Sequence, residues 1–297
     1  MEIKLNKTIL VLILCLVRVL VYAQSITVVT SFSVLGDIVK NIGGNKVTIV
    51  SIVGANQDAH NYELKPSDLN TIAKSKILFV NGLGLEAFGL DSIMKSYHGY
   101  KVVVTKGINP LLLQDNVNKI RVDPHVWSNP LNVANYYVPN ILSALVAISP
   151  ENKKYFTQNA QNYITELTQL NKWVVLQFKG INPRNLQAIT THDAFNYFAL
   201  QYGVKFISAQ GISTDSDASA KDISNLEKLI KSSNIKVVFL ENMTNNQLIR
   251  QIAEDTKAKI GGELYSDALS LPNQPANTYI NMIKYNVTTL CKAWKTH

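Results

Sequence analysis

The chain has 297 residues, of which 46% are hydrophobic and 17% charged, and a formal net charge of +8. This is globular composition, not disorder, and a length that one core seldom serves, which predicts two lobes. The cations are mostly scattered lysines without an arginine-rich stripe or an aromatic-interleaved basic patch, which argues against a nucleic-acid partner.

Residues 1–23 read as a secretory signal peptide. Lys4 and Lys7 form a positive start, Thr8 to Val21 is almost wholly apolar, and Val21-Tyr22-Ala23 offers a cleavage point after Ala23. An uncleaved anchor on the outer face of the inner membrane is the alternative. No later stretch has the ~20 continuous apolar residues of a membrane helix. Cys15 follows Ile13 and Leu14 rather than small residues, so the expected mature protein is soluble and not lipid-anchored. Cys291 is then the lone cysteine, unable to form an internal disulfide. Cleavage removes three cations and one anion, leaving +6.

Beyond Ala23, strand and helix patterns alternate. Ile26 to Thr30 is a β-branched strand, and Ser31 is the expected cap of a helix carrying Phe32, Leu35, Ile38, Val39 and Ile42 on one face. Val47 to Val53 (strand), Pro66 to Lys74 (helix), Ile77 to Val80 (strand), Leu85 to Tyr97 (helix) and Lys101 to Thr105 (strand) follow. Asn132 to Ile148 has helical period. Ser149-Pro150-Glu151 then starts a run to Phe178 free of Gly and Pro, predicting a helix of ~28 residues and ~40 Å. In the second half the expected strands are Leu186 to Thr190, Val204 to Ser208, Lys236 to Leu240 and Lys259 to Glu263. The expected helices are Ala194 to Gln201, Ala218 to Ser232, Asn245 to Thr256 and Ala276 to Trp294. The prediction is an α/β fold of two lobes, 24–149 and 180–297, each a mostly parallel sheet flanked by helices, joined by a rigid helix over 150–179.

Of five histidines, His98 and His297 have bland settings at a helix end and the chain end. His60, His125 and His192 each follow a predicted parallel strand, and Asp267 follows the last one. In open α/β sheets the carboxyl edge of the strands is where ligands bind. The four lie 65, 67 and 75 residues apart in succession, so no short zinc-finger or His-Glu-x-x-His motif is present. Three imidazoles and one carboxylate would fill a tetrahedral zinc shell with Zn–N of ~2.0–2.1 Å.

These residues carry a resemblance. Ala59-His60-Asn61-Tyr62-Glu63 with Pro66-Ser67-Asp68, Asn81-Gly82-Leu83-Gly84-Leu85-Glu86, Asp123-Pro124-His125-Val126-Trp127, Thr191-His192-Asp193-Ala194-Phe195 and Asp267 occur in one order along the mature sequence. The chain resembles the metal-specific (cluster A-I) solute-binding proteins of bacterial zinc and manganese ABC importers, the ZnuA/TroA-like family. The resemblance implies a metal held between the lobes by His60 and His125 on one side and His192 and Asp267 on the other. It implies Zn2+ as cargo with Mn2+ as the alternative, since the third ligand is often His in zinc-binding members and Glu in manganese-binding ones. It also implies a membrane permease and its ATPase as partners, and a monomeric carrier. In two respects the chain departs from the pattern: Leu111 to Arg121 is short and lacks the His-rich reservoir of many zinc members, and Ser128-Asn129-Pro130 lacks the usual acid.

Gly82-x-Gly84 lacks the third glycine of a nucleotide loop and reads as a turn. Asp58 and Asp123, each two residues before a candidate ligand, read first as solvated loop acids and second as orienters of imidazole. Glu241 reads as a rim or supporting residue. A closed four-ligand shell leaves no position for water, so binding rather than catalysis is expected. A metal-dependent hydrolase and an adhesin with a structural metal are the weaker alternatives, and an iron carrier shares the manganese reading.

Overall fold

The computed structural model describes residues 25–86, 97–114, 120–214, 218–233 and 235–295. The signal-peptide segment, His297 and most of the helix expected over Leu85 to Tyr97 lie outside them. Two four-stranded parallel sheets form the lobes. In the first, β1 (Ile26–Phe32), β2 (Val47–Val53), β3 (Ile77–Val80) and β4 (Tyr100–Val103) lie in the order β2-β1-β3-β4. Helix α1 (Ser33–Gly43) returns the chain from β1 to β2, and α2 (Pro66–Lys74) from β2 to β3. Val28 and Val29 are both fully buried and face opposite sides of β1, as a sheet covered on both faces requires.

After β4 the chain forms an antiparallel hairpin, β5 (Leu112–Gln114) and β6 (Ile120–Val122), which the sequence reading missed. A helical stretch, α3, then runs over Pro130–Ile148. It includes a wide π-type turn over Val133–Tyr137. Pro139 supplies no amide hydrogen to the Asn135 carbonyl, and the wider turn makes room for its ring. By length and composition α3 could cross a membrane, yet it packs against the long helix α4 (Lys153–Phe178) inside the fold. Helix α4 also packs on α1 and on the last helix, α8 (Tyr279–Lys295), and so spans both lobes.

The second sheet contains β7 (Gln187–Thr190), β8 (Lys205–Ser208), β9 (Val237–Glu241) and β10 (Lys259–Leu264) in the order β10-β9-β7-β8. Its helices are α5 (Asn196–Tyr202), α6 (Ala220–Ser232) and α7 (Gln247–Thr256). One apolar cluster runs from Val28 in the first lobe through Leu167 on α4 to Trp294 on α8.

Three expected starts differ. Ser31 does not cap α1, because β1 continues to Phe32 and the Ser31 hydroxyl donates to Glu86 Oε1 at 2.8 Å. Glu86 also accepts the backbone N–H groups of Asn81 and Gly82, which pins the turn at the end of β3. The Ser149-Pro150-Glu151 signal serves a 3-10 turn over Pro150–Asn152, with α4 beginning at Lys153. The helix expected from Ala194 starts two residues later, as α5 at Asn196.

Replacing the fully buried Leu167 by Ala leaves a void at the centre of α4. A loss of about 2–5 kcal/mol of stability is expected, measured by urea unfolding of metal-free protein.

Candidate metal centre

His60 sits in the loop after β2. Asp58 Oδ1 accepts the backbone N–H of His60 at 2.8 Å, a local turn that fixes where the imidazole starts. His125 follows the hairpin. Asp123 Oδ1 accepts both its backbone N–H (2.9 Å) and its Nδ1–H (2.8 Å), while Asn81 Nδ2 holds the Pro124 carbonyl at 2.9 Å. His192 lies just beyond β7. Glu241, the last residue of β9, takes the backbone N–H groups of Thr191 (2.8 Å) and His192 (3.0 Å) on Oε1. Its Oε2 accepts the Ser266 hydroxyl at 2.7 Å and lies 2.8 Å from His192 Nδ1. Asp267 comes directly after Ser266, so Glu241 positions both residues contributed by the second lobe.

All four predicted site residues converge. One ligand atom each from His60, His125, His192 and Asp267 lies within 4.8 Å of all the others. His60 Nε2 is 3.2 Å from His125 Nε2 and 3.1 Å from Asp267 Oδ2, and His192 Nε2 is 3.1 Å from the same oxygen. Ligand edges of a tetrahedral ion with bonds of ~2.0–2.1 Å are about 3.3–3.4 Å, so the spacing fits one ion at the centre. Side-chain exposure is 5% at His60 and zero at His125 and Asp267. Asp267 Oδ1 is buried and receives no hydrogen bond among the described residues. A buried acceptor without a donor is costly unless a cation faces it.

Tautomers follow from the outer partners. Asp123 takes the Nδ1 proton of His125, so Nε2 presents its lone pair to the centre. Glu241 Oε2 lies 2.8 Å from Nδ1 of His192, a charge contact without the hydrogen-bond alignment of the His125 pair. Burial alone disfavours a charged His192, but Glu241 and Asp267 outweigh it and hold the His192 pKa well above the ordinary imidazole value. Burial likewise opposes the Asp267 carboxylate, and His192 and His125 outweigh it to hold that pKa well below the usual range.

The lobes meet around this centre. Trp127 Nε1 donates to the Ser266 carbonyl at 2.9 Å, and the Tyr279 hydroxyl to the Trp127 carbonyl at 2.7 Å. Asn196 on α5 reaches Asp123 Oδ2 at 3.1 Å. At the mouth, Thr214 donates to Asp58 Oδ2 at 2.6 Å, Asn61 Nδ2 to Thr214 Oγ1 at 2.8 Å, and Asn242 Nδ2 to Asn56 Oδ1 at 2.9 Å.

Sequence reasoning undervalued two residues here. Asp123 is fully buried against an imidazole rather than solvated, and its spacing two before His125 is the signal that marks it. Glu241 has no local motif at all; only the parallel order of β7, β9 and β10 brings it to His192. His98 is exposed and takes no part in the centre.

Residues 28–293 match the family described as ZnuA, zinc-uptake complex component A, periplasmic. The chain belongs to this family. It is 32% identical over 279 residues to the manganese-binding lipoprotein MntA of Bacillus subtilis, covering 92% of this chain and 90% of that one. A second MntA, from Halalkalibacterium halodurans, is 31% identical over 267 residues, covering 90% and 87%. Among solved structures, the periplasmic zinc-binding protein TroA of Treponema pallidum superposes with a TM-score of 0.86 at 28% identity, over 91% of this chain and 99% of that one. Membership places the chain among extracytoplasmic metal-binding components of ABC importers and not among enzymes. It also makes a permease, an ATPase and a metal ion its partners.

Glu241→Ala removes the group that orients His192 and Ser266. Metal affinity is expected to fall by about 10–100-fold, with Glu241→Gln falling less, read by competition against a chromophoric chelator.

Proposed function

We propose that the chain captures a divalent transition metal outside the cytoplasm, zinc in preference to manganese, through His60, His125, His192 and Asp267, and hands it to an ABC importer. The supporting observation is the convergence of three imidazole Nε2 atoms and one carboxylate on a single buried point. Imidazole is a softer donor than carboxylate and favours zinc over the harder manganese ion. The carrier acts as a monomer, since one chain supplies both halves of the site. We divide it into lobes of residues 24–149 and 180–297 with a connecting helix over 150–179. Export through residues 1–23, with cleavage after Ala23, completes the reading; mass spectrometry of the secreted form checks it against retention at the membrane, which the lipoprotein names of the relatives favour.

A manganese or iron cargo is the second reading. Both oxygens of Asp267 enter the centre, Oδ2 at 3.1 Å from His192 Nε2 and Oδ1 at 3.7 Å from His125 Nε2. A carboxylate bound through both would raise the coordination number above four and suit a harder ion. The relatives named for manganese point the same way. Elemental analysis of protein purified without added metal, followed by zinc-against-manganese competition, separates the two.

His192→Ala is expected to weaken zinc binding by more than the ~100-fold ceiling of an outer partner. His192→Glu is expected to narrow the preference for zinc over manganese. Unchanged affinity in His192→Ala would refute the ligand assignment.

Proton linkage gives a further test. Only neutral imidazole coordinates, and His192 without metal is held protonated by Glu241 and Asp267. The metal must displace that proton. Affinity is therefore expected to rise with pH, and to go on rising above the usual imidazole range of about 6.5. Calorimetry in two buffers of different ionisation enthalpy should register proton release on zinc binding.

A further inference from the structure

We propose that the four ligands have unequal roles: His125, His192 and Asp267 form a standing platform tied across the two lobes, and His60 is the ligand through which the ion enters and leaves. The proposal rests on the four-ligand reading above and is independent of which metal is carried.

His125 belongs to the first lobe by sequence, but the segment that carries it is held from the second. Helix α5, which begins four residues after His192, lies along this segment. Asn196 Nδ2 reaches Asp123 Oδ2 at 3.1 Å, the Tyr197 hydroxyl donates to the Asp123 carbonyl at 3.0 Å, and the Phe198 N–H donates to Ser128 Oγ at 3.2 Å. The same Tyr197 oxygen accepts the Leu111 N–H at 3.0 Å, and the Leu111 carbonyl accepts the Asp123 N–H at 2.9 Å. Further along, Trp127 is bonded to Ser266 and Tyr279. Asp123, Trp127, Ser128, Tyr197, Ser266 and Tyr279 are all buried. Water cannot take over bonds between buried groups, so parting them leaves donors and acceptors unpaired. None of these bonds runs through the ion. They fix Asp123, which orients His125, against the elements that carry His192 and Asp267.

His60 is held differently. Asp58 takes its backbone N–H, but among the described residues no carboxylate stands behind its Nδ1 as Asp123 does for His125. It is the one ligand of the four with any side-chain exposure, 5% against zero. Its loop crosses to the second lobe through residues that water reaches. The Asn56 N–H donates to the Leu269 carbonyl at 2.9 Å and anchors the start of the loop. Beyond it, Asp58 and Asn61 meet Thr214; Asn61 is exposed, and Asp58 and Thr214 are partly so. Water replaces such bonds at small net cost. Residues 57–63 therefore swing out first and take His60 with them. The ion is left on three protein ligands with one position open to water or to an incoming donor, a shell that zinc accepts.

Hydrogen exchange of the full chain with and without zinc is the first test. Zinc should slow exchange at residues 57–63 and 211–214, and leave the already protected amides of His125 and Phe198 unchanged. Equal slowing of both regions would mean that the lobes part as wholes, and would overturn the proposal. The second test is a double-mutant cycle on the rate of zinc release to a chromophoric chelator. Thr214→Ala removes the bonds to Asp58 and Asn61 and should speed release about fivefold. In His60→Ala, which should keep one zinc at reduced affinity, the same exchange should change the rate by less than about twofold, because the mouth acts only through His60. Equal acceleration in both backgrounds, or loss of all zinc binding in His60→Ala, would overturn the proposal and leave the four-ligand reading standing. Unchanged zinc affinity in His60→Ala would overturn that reading and the proposal with it.

Discussion

The whole arrangement depends on one electrostatic constraint: buried carboxylates and imidazole lone pairs are aimed at one point, and only a cation satisfies them together. Asp267 is at the centre itself, Asp123 stands behind His125, and Glu241 stands behind His192. Charges withdrawn from water carry a penalty of several kcal/mol each unless paired. Without metal, part of that penalty is met by the proton that Glu241 and Asp267 hold on His192. Metal and proton are thus alternative occupants of one electrostatic well.

That constraint explains the division of labour between lobes. Each lobe offers two ligands braced largely from within that lobe, with Asn196 and Thr214 of the second lobe also holding Asp123 and Asp58 of the first. Asp58 and Asn81 steady the loops of His60 and His125; Glu241 steadies His192 and Ser266. Neither half completes the shell alone. Helix α4 packs on α1 and α8, so the distance between the halves is set by a stiff element and not by a flexible linker.

Most of the architecture was legible because strands and helices here announce themselves locally. Ile26 to Thr30 and Val47 to Val53 are β-branched runs between Gly and Ser punctuation, and the stretch from Pro150 to Phe178 has no breaker. His60, His192 and Asp267 were legible because each follows such a strand, whereas His125, expected after the Lys101 to Thr105 strand, follows the β5–β6 hairpin instead. What local sequence could not supply was anything fixed by pairing at long range. Glu241 looks like any acid at a strand end until β9 is placed between β7 and β10. Ser31 looks like a helix cap because nothing local shows that Glu86, fifty-five residues on, claims its hydroxyl. The β5–β6 hairpin was missed because its strands are three residues each, too short for a period to emerge.

The hydrogen bonds across the mouth, from Thr214 to Asp58, Asn61 to Thr214 and Asn242 to Asn56, join neutral or half-exposed groups. Each contributes on the order of 1 kcal/mol net, because water replaces it when the mouth opens. The metal is a cross-link of another scale, since opening strips it of ligands from one lobe inside a dry centre. The ion therefore adds a fastening between the lobes to the buried bonds of Trp127 with Ser266 and Tyr279. Moving one lobe away from the other would leave the ion with two of its four ligands, a shell for which water and a partner's donors could compete.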